Sequence, residues 1–283
     1  MGYKHNIVMT FRRGDGAELT AGTDHSEYKI YKADGLTGLP YAFTTAVNPQ
    51  VAGVALSNMR AEPRNISIEF DCVQALRDHA ISFFNPIYEM VLTVEWNGVK
   101  RWIAGRVRPV RVVTRNIYDK LTLGIELFCP DSYWNDMSNY GKDISFRRAL
   151  MAFPFVMLRG RGMVPSYRAE GNEVTIENAG DAPVPIRVVV EAQGTVSNPR
   201  ITLNGGAFIQ INAQMTRGDV LDVSTDPRGI YVKLNGESVL NRSDRRSMFF
   251  QLPVGESVLA YEAIGESDAL AVVVYYTPRF LGV

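Results

Sequence analysis

From Glu173 onward the chain consists of short β-branched runs broken by turn dipeptides, and this alternation restricts the last 111 residues to strands and tight turns. Asn204-Gly205 separates the apolar run 201–203 from 208–211, and Asn235-Gly236 separates 230–234 from 239–240. Both central residues of a type I′ turn need positive φ, which Asn and Gly adopt most readily, so two hairpins are predicted. Runs at 174–177, 186–191, 220–223, 257–261 and 270–276 supply further strands of ordinary length. With no helical period between them, the segment reads as an antiparallel sandwich or barrel.

The first half is also strand-rich but differently organised. Runs 6–11 and 27–31 flank a Gly- and Asp-rich turn region, 64–70 alternates with period two, and 88–96 joins 100–103 through Asn97-Gly98. The one helix predicted is 71–84, where Val73, Leu76, Ala80 and Phe83 or Phe84 recur at helical spacing before Asn85-Pro86 stops it. Strands then continue through 121–128. The segment from Ala46 to Pro63, with Asn48-Pro49, Gly53 and Glu62-Pro63 among scattered apolar residues, is long for a loop inside a compact domain. It reads either as a projecting arm that packs on a neighbouring subunit or as a local hairpin or Ω-loop closing on its own domain. Asn58, Arg60 and Arg64 are its candidate oligomer contacts, since Arg makes planar bidentate bonds at interfaces. Three parts result: a β-rich domain over 1–135, a packed connector over 136–170 and a β-sandwich over 171–283.

Composition narrows the function. Thirty basic residues balance thirty acidic ones, which gives no electrostatic case for gripping nucleic acid by its phosphates. Nowhere do eighteen apolar residues run together, and the opening residues lack an apolar signal core, so no membrane insertion and cytoplasmic synthesis are expected. Cys72 and Cys129 match no zinc or haem spacing and read as buried thiols, with a disulfide between them left open.

Catalytic, cofactor and metal residues are not evident. His5, His25 and His79 stand in no paired-ligand context, and no nucleophile elbow accompanies them. Asp222 and Asp226 could serve as two acids for glycoside hydrolysis, but turn and edge acids are commoner in β proteins. Asn204-Gly-Gly-Ala207 lacks the lysine and helix of a phosphate loop.

The order of motifs is more informative than any one of them. Asn172-Glu-Val-Thr-Ile-Glu-Asn-Ala-Gly-Asp181, Ser197-Asn-Pro-Arg-Ile-Thr-Leu-Asn204 and Val232-Lys-Leu-Asn-Gly236, closed by Phe249-Phe-Gln-Leu-Pro-Val-Gly-Glu256 and Tyr275-Tyr-Thr-Pro-Arg-Phe-Leu-Gly282, resemble the carboxy-terminal domain of phage distal tail proteins. Leu36-Thr-Gly-Leu39, the arm, Arg64-Asn-Ile-Ser-Ile-Glu-Phe70, the single helix and Phe128-Cys-Pro-Asp-Ser-Tyr-Trp134 follow the order of that family's tail-ring domain.

The resemblance implies a mainly β protein with an N-terminal ring domain carrying one α-helix and a C-terminal galectin-like antiparallel β-sandwich. It implies a structural, non-enzymatic virion component assembled in the host cytoplasm, a hexameric hub at the end of the tail tube. Its implied partners are the tail tube protein, the central tail-tip protein and a receptor-binding protein or host glycan. DNA only transits the lumen, and no cofactor is implied. The rival reading is a carbohydrate-binding sandwich, for which Tyr231, Tyr261, Tyr275 and Tyr276 are the available aromatic residues.

Overall fold

The computed structural model describes residues 6–47, 52–113, 121–137, 173–265 and 270–283. The chain divides into two compact units: unit 1 is Met1–Tyr140 together with Arg279–Val283, and unit 2 is Gly141–Pro278. All but the first two residues of the connector expected over 136–170 lie outside the described residues. The sequence places the sandwich over 171–283, whereas residues 279–283 belong to unit 1, where Arg279 and Phe280 pair with the strand at Trp134–Asp136.

Unit 1 contains β1 (Ile7–Arg13), β2 (Glu18–Gly22), β3 (Tyr28–Asp34), β4 (Tyr41–Val47), β5 (Val54–Ala61), β6 (Arg64–Cys72), α1 (Arg77–Phe83), β7 (Met90–Trp96), β8 (Val99–Val107), β9 (Arg111–Val112), β10 (Leu121–Cys129) and β11 (Trp134–Asp136). Its main sheet runs β8-β7-β1-β2-β3-β6-β10 and closes on itself where Leu127 and Phe128 of β10 pair with Val107 and Arg106 of β8. Gly105 makes that closure sterically feasible: a Cβ there would lie 2.4 Å from the Phe128 carbonyl oxygen. The β2–β3 junction is the weak seam, a single parallel bridge between Gly22 and Lys29.

Inside the closed sheet, alternate residues of each strand form one core, with Met9, Phe11, Ile66, Ile68, Phe70, Leu92, Ile103 and Leu123 all fully buried. The helix is shorter than predicted. Asp71 and Cys72 remain in β6, paired with Thr122 and Leu121, because the ladder to β10 continues there. A 3-10 turn over Gln74–Leu76 then leads into α1, which buries Ala80 and Phe83 and leaves Val73 exposed outside it. Phe84, just beyond the helix, meets Phe11 edge-on at 5.1 Å and Phe70 at 5.8 Å, which anchors the helix to the sheet. Cys72 and Cys129 are free and buried at opposite ends of the β6–β10 ladder. Eight residues of strand separate them, roughly 27 Å at the usual rise, far beyond disulfide reach.

Unit 2 consists of β12 (Glu173–Asn178), β13 (Arg187–Ala192), β14 (Val196–Leu203), β15 (Phe208–Gln210), β16 (Gln214–Met215), β17 (Val220–Ser224), β18 (Tyr231–Leu234), β19 (Glu237–Ser238), β20 (Gly255–Gly265) and β21 (Leu270–Tyr275). Two five-stranded antiparallel sheets form, β12-β20-β14-β15 with β16 on β14, and β19-β18-β17-β13-β21. Their inward residues, among them Ile176, Val188, Val190, Ile201, Leu221, Val223 and Leu259, share one core, which makes the unit a β-sandwich. The chain as a whole is mainly β, as the sequence predicts. At Asn235-Gly236 both residues take positive φ and join β18 to β19 in a two-residue turn, as Asn97-Gly98 does between β7 and β8. Asn204-Gly205 also has positive φ, but Leu203 pairs with Ala207 through a loop one residue longer.

Candidate assembly surface

The arm expected over 46–63 is a β-hairpin that starts earlier, at Tyr41. Strands β4 and β5 pair with each other and with no other described strand. Its base is fastened to unit 1. The Glu62 amide donates to the Pro40 carbonyl at 2.8 Å, the Ser132 hydroxyl donates to the Glu62 carbonyl, and Tyr133 hydrogen-bonds Tyr41. Burial first and that bond second push the Tyr133 phenol above its ordinary range.

Beyond the base the ribbon stands in solvent on both sides. Phe43, Val47, Val54, Leu56 and Met59 are each 53–73% exposed. The register explains how they come to share a face. Phe43 faces Met59 and Thr44 faces Asn58, but Thr45 faces Leu56, so Ser57 is an extra residue in β5. A one-residue shift reverses the side of every following side chain. The spacing Val54-x-Leu56-x-x-Met59-x-Ala61 would split across both faces of a regular strand. The bulge gathers it on one face with Tyr41, Phe43 and Val47, where the Tyr41 and Phe43 rings lie 6.3 Å apart. The other face carries Ala42, Thr44, Ala55, Asn58 and Arg60.

The three residues singled out from sequence have different fates. Asn58 and Arg60 are exposed, Asn58 accepting from the Met59 amide at 2.8 Å and Arg60 standing 4.0 Å from Glu62. Arg64 is 2% exposed. Its Nε donates to the Ser132 carbonyl at 2.8 Å, Nη1 to Gly35 at 2.7 Å, and Nη2 to Gly38 at 2.5 Å and to Leu281 at 2.7 Å. Those donors are satisfied inside unit 1, so Arg64 offers no fork to a neighbour. Burial lowers its proton affinity below the ordinary arginine value, and the carbonyl dipoles offset the cost of holding charge there. Gly35 is needed opposite it: with φ of 84°, a Cβ would lie 2.3 Å from the Asn65 carbonyl oxygen. Sequence reasoning missed the apolar face because its period is broken; the 2-3-2 spacing in β5 was the available signal.

In unit 2, Asp222 and Asp226 are each held by a separate arginine. Arg187 grips Asp222 at 3.0 and 2.9 Å, and Arg228 grips Asp226 at 3.1 and 3.0 Å. Tyr261 and Tyr276 belong to the core, Tyr276 donating to the Glu177 carbonyl at 2.8 Å. Tyr231 and Tyr275 are half-buried on strands, Tyr231 donating to Asp222 at 3.3 Å. Among the described residues no three His, Cys, Asp or Glu side chains are grouped so as to hold a metal ion, and no helix is long and apolar enough to cross a membrane.

Residues 179–280 match the family model of the siphovirus-type tail component, C-terminal domain. Over those residues the chain is similar to that tail-component domain. That domain spans nearly all of the described part of unit 2 and extends to the start of the returning segment. Among solved structures, the fold of the whole chain is similar to that of the Dit protein of phage SPP1, presented as a paradigm of the hub adsorption apparatus in phages infecting Gram-positive hosts. The TM-score is 0.66 at 11% identity, over 96% of this chain and 99% of that one. A chain of the phage P2 baseplate in its activated conformation with Ca matches with a TM-score of 0.48 at 10% identity, over 97% and 98% of the two chains. The comparison of fold rests on SPP1 Dit. No curated protein matches the chain in sequence. The resemblance to phage distal tail proteins read from motif order is borne out by the tail-component match and by the Dit fold.

Proposed function

We propose that the protein is a structural component of the distal tail of a long-tailed phage, in which unit 1 assembles with five further copies into a ring continuing the tail tube. The observation that carries this reading is the hairpin's bulge-aligned apolar face, exposed on a chain with the Dit fold. A closed ring joins two different patches on every subunit, so each copy offers its neighbour an arm and receives one. Phe43, Val47, Val54, Leu56 and Met59 bury against the next copy, each gaining roughly 1.5–3 kcal/mol when fully covered. Asn58 and Arg60 make polar contacts from the other face. The tail tube protein and the central tail-tip protein meet the ring at its two ends. Unit 2 holds or presents a peripheral partner, a receptor-binding protein or a host glycan. DNA passes through the lumen, and a chain of zero formal charge avoids retaining it there. The role is assembly rather than catalysis, and its place is the virion tail after assembly in the host cytoplasm.

Native mass spectrometry tests this. Six copies are expected, and the double substitution Phe43→Asp with Leu56→Asp should give a folded monomer. A hexamer indifferent to that change would remove the hairpin from the interface. A wild-type monomer at micromolar concentration would count against the ring.

A further inference from the structure

Residues 279–283 lie beyond unit 2 in sequence, yet every one of them is fastened to unit 1. Strand β22 (Arg279–Phe280) pairs with β11, Phe280 opposite Trp134 and Arg279 opposite Asn135. Arg279 forms an ion pair with Asp131 at 3.2 Å, both side chains largely buried. The Arg101 guanidinium lies 3.7 Å from the centre of the Phe280 ring and donates to the Gly282 carbonyl. Leu281 supplies one of the four carbonyls around Arg64. A Cβ at Gly282 would come 3.1 Å from Thr37 Cα, so the backbone lies directly against the 36–37 segment. The Val283 amide donates to the Leu36 carbonyl at 3.2 Å. Beneath this segment, Trp134 and Arg64 are two of the largest fully enclosed side chains among the described residues.

We propose that residues 279–283 are a clasp that completes unit 1 and sets the base of its hairpin, so that unit 1 becomes ready to assemble only after unit 2 has been synthesised. Arg64 is the link. It gathers Leu281 of the clasp, Gly35 and Gly38 of the segment leading into β4, and Ser132, whose hydroxyl bonds Glu62 at the end of β5. Without the clasp, Arg64 keeps a buried charge with one partner missing, and Trp134 loses its neighbouring strand. The chain emerges from the ribosome with unit 1 unfinished, and its hairpin base stays unset while residues 141–278 are made. The readiness to assemble rests on the ring reading above; the clasp itself does not.

Hydrogen exchange and calorimetry on the full chain test the clasp without reference to oligomers. In the intact protein, residues 279–283 should exchange at least roughly 100-fold more slowly than an open tail, in step with β11. Exchange at the open-tail rate overturns the proposal. A variant lacking 279–283 should melt in unit 1 roughly 10 °C lower and expose the Glu62 amide roughly tenfold faster, while the transition and the β17 amides of unit 2 stay unchanged. Arg64→Lys, which keeps the charge but loses the fork, should shift the same two readouts in the same direction by less. Unaltered Glu62 exchange in both variants, or equal loss in both units, overturns the proposal.

Discussion

Strands β5 and β6 are neighbours in the chain, separated by Glu62 and Pro63, and both carry large apolar residues. In β6, Ile66, Ile68, Phe70 and Cys72 alternate into the core while the strand is paired on both sides, with β3 and β10. In β5, Val54, Leu56 and Met59 are all exposed, and the one paired strand, β4, is exposed as well. Similar hydrophobicity therefore leads to opposite burial. What separates the two is the second layer, which β6 finds inside the closed sheet and β5 does not find among the described residues of its unit. An isolated two-stranded ribbon is marginal in water. On the ring reading proposed above, the packing surface of β5 is supplied by another copy of the chain.

Substitutions can break or sharpen this contrast. The largest effect is expected on the β6 side: Phe70→Ala removes a ring packed on Tyr28 and Phe84 and should cost about 3–5 kcal/mol in chemical denaturation. Gly105→Ala strikes the closure that gives β6 its second layer. Its added methyl meets backbone rather than a flexible side chain, and a loss of about 1–3 kcal/mol in the unit 1 transition is expected. Leu56→Ala should change the stability of the isolated subunit by less than about 0.5 kcal/mol yet weaken self-association measured by sedimentation. A folding cost comparable to that of Phe70→Ala would mean that the hairpin packs within its own subunit.

The smallest effect concerns the turn between β1 and β2, which is satisfied locally. The bidentate bond from Arg13 lowers the Asp15 carboxyl to about 2. A depressed folded value means its contribution is present above the unfolded value and fades as pH falls through about 2. An NMR titration should find Asp15 still ionised at pH 3; a midpoint near the ordinary carboxylate value would show the pair does not form. At the far end of the β6–β10 ladder the Cys129 thiol is pushed up to about 12, burial being the main cause. It should resist thiol reagents at pH 8 until the protein unfolds.

Much of the strand content was legible because it rests on local rules. The period-two run in 64–70 appears as β6, and Asn97-Gly98 and Asn235-Gly236 turn where their conformational freedom predicts. The helix was legible in kind but not in extent: Asp71 and Cys72 fit a helical period, and the long β6–β10 ladder outweighed it. The arm was legible as an unusual segment, but its apolar face was hidden by the bulge at Ser57. Arg64 was misleading, because a single arginine ending a Pro-containing loop reads as an interface anchor until the carbonyls around it are known.

By itself, the sequence determined which segments extend, where they turn tightly, and that no obvious catalytic set accompanies them, since φ preference and side-chain period act over a few residues. Only the tertiary structure decided that β8 meets β10, that Leu56 and Met59 share a face, and that the chain returns to unit 1 after unit 2. The bond from Arg64 to Leu281 spans 217 positions. Nothing local encodes such a partner; it is selected by the burial of Trp134 and Arg64, which exists only once the sheet has closed.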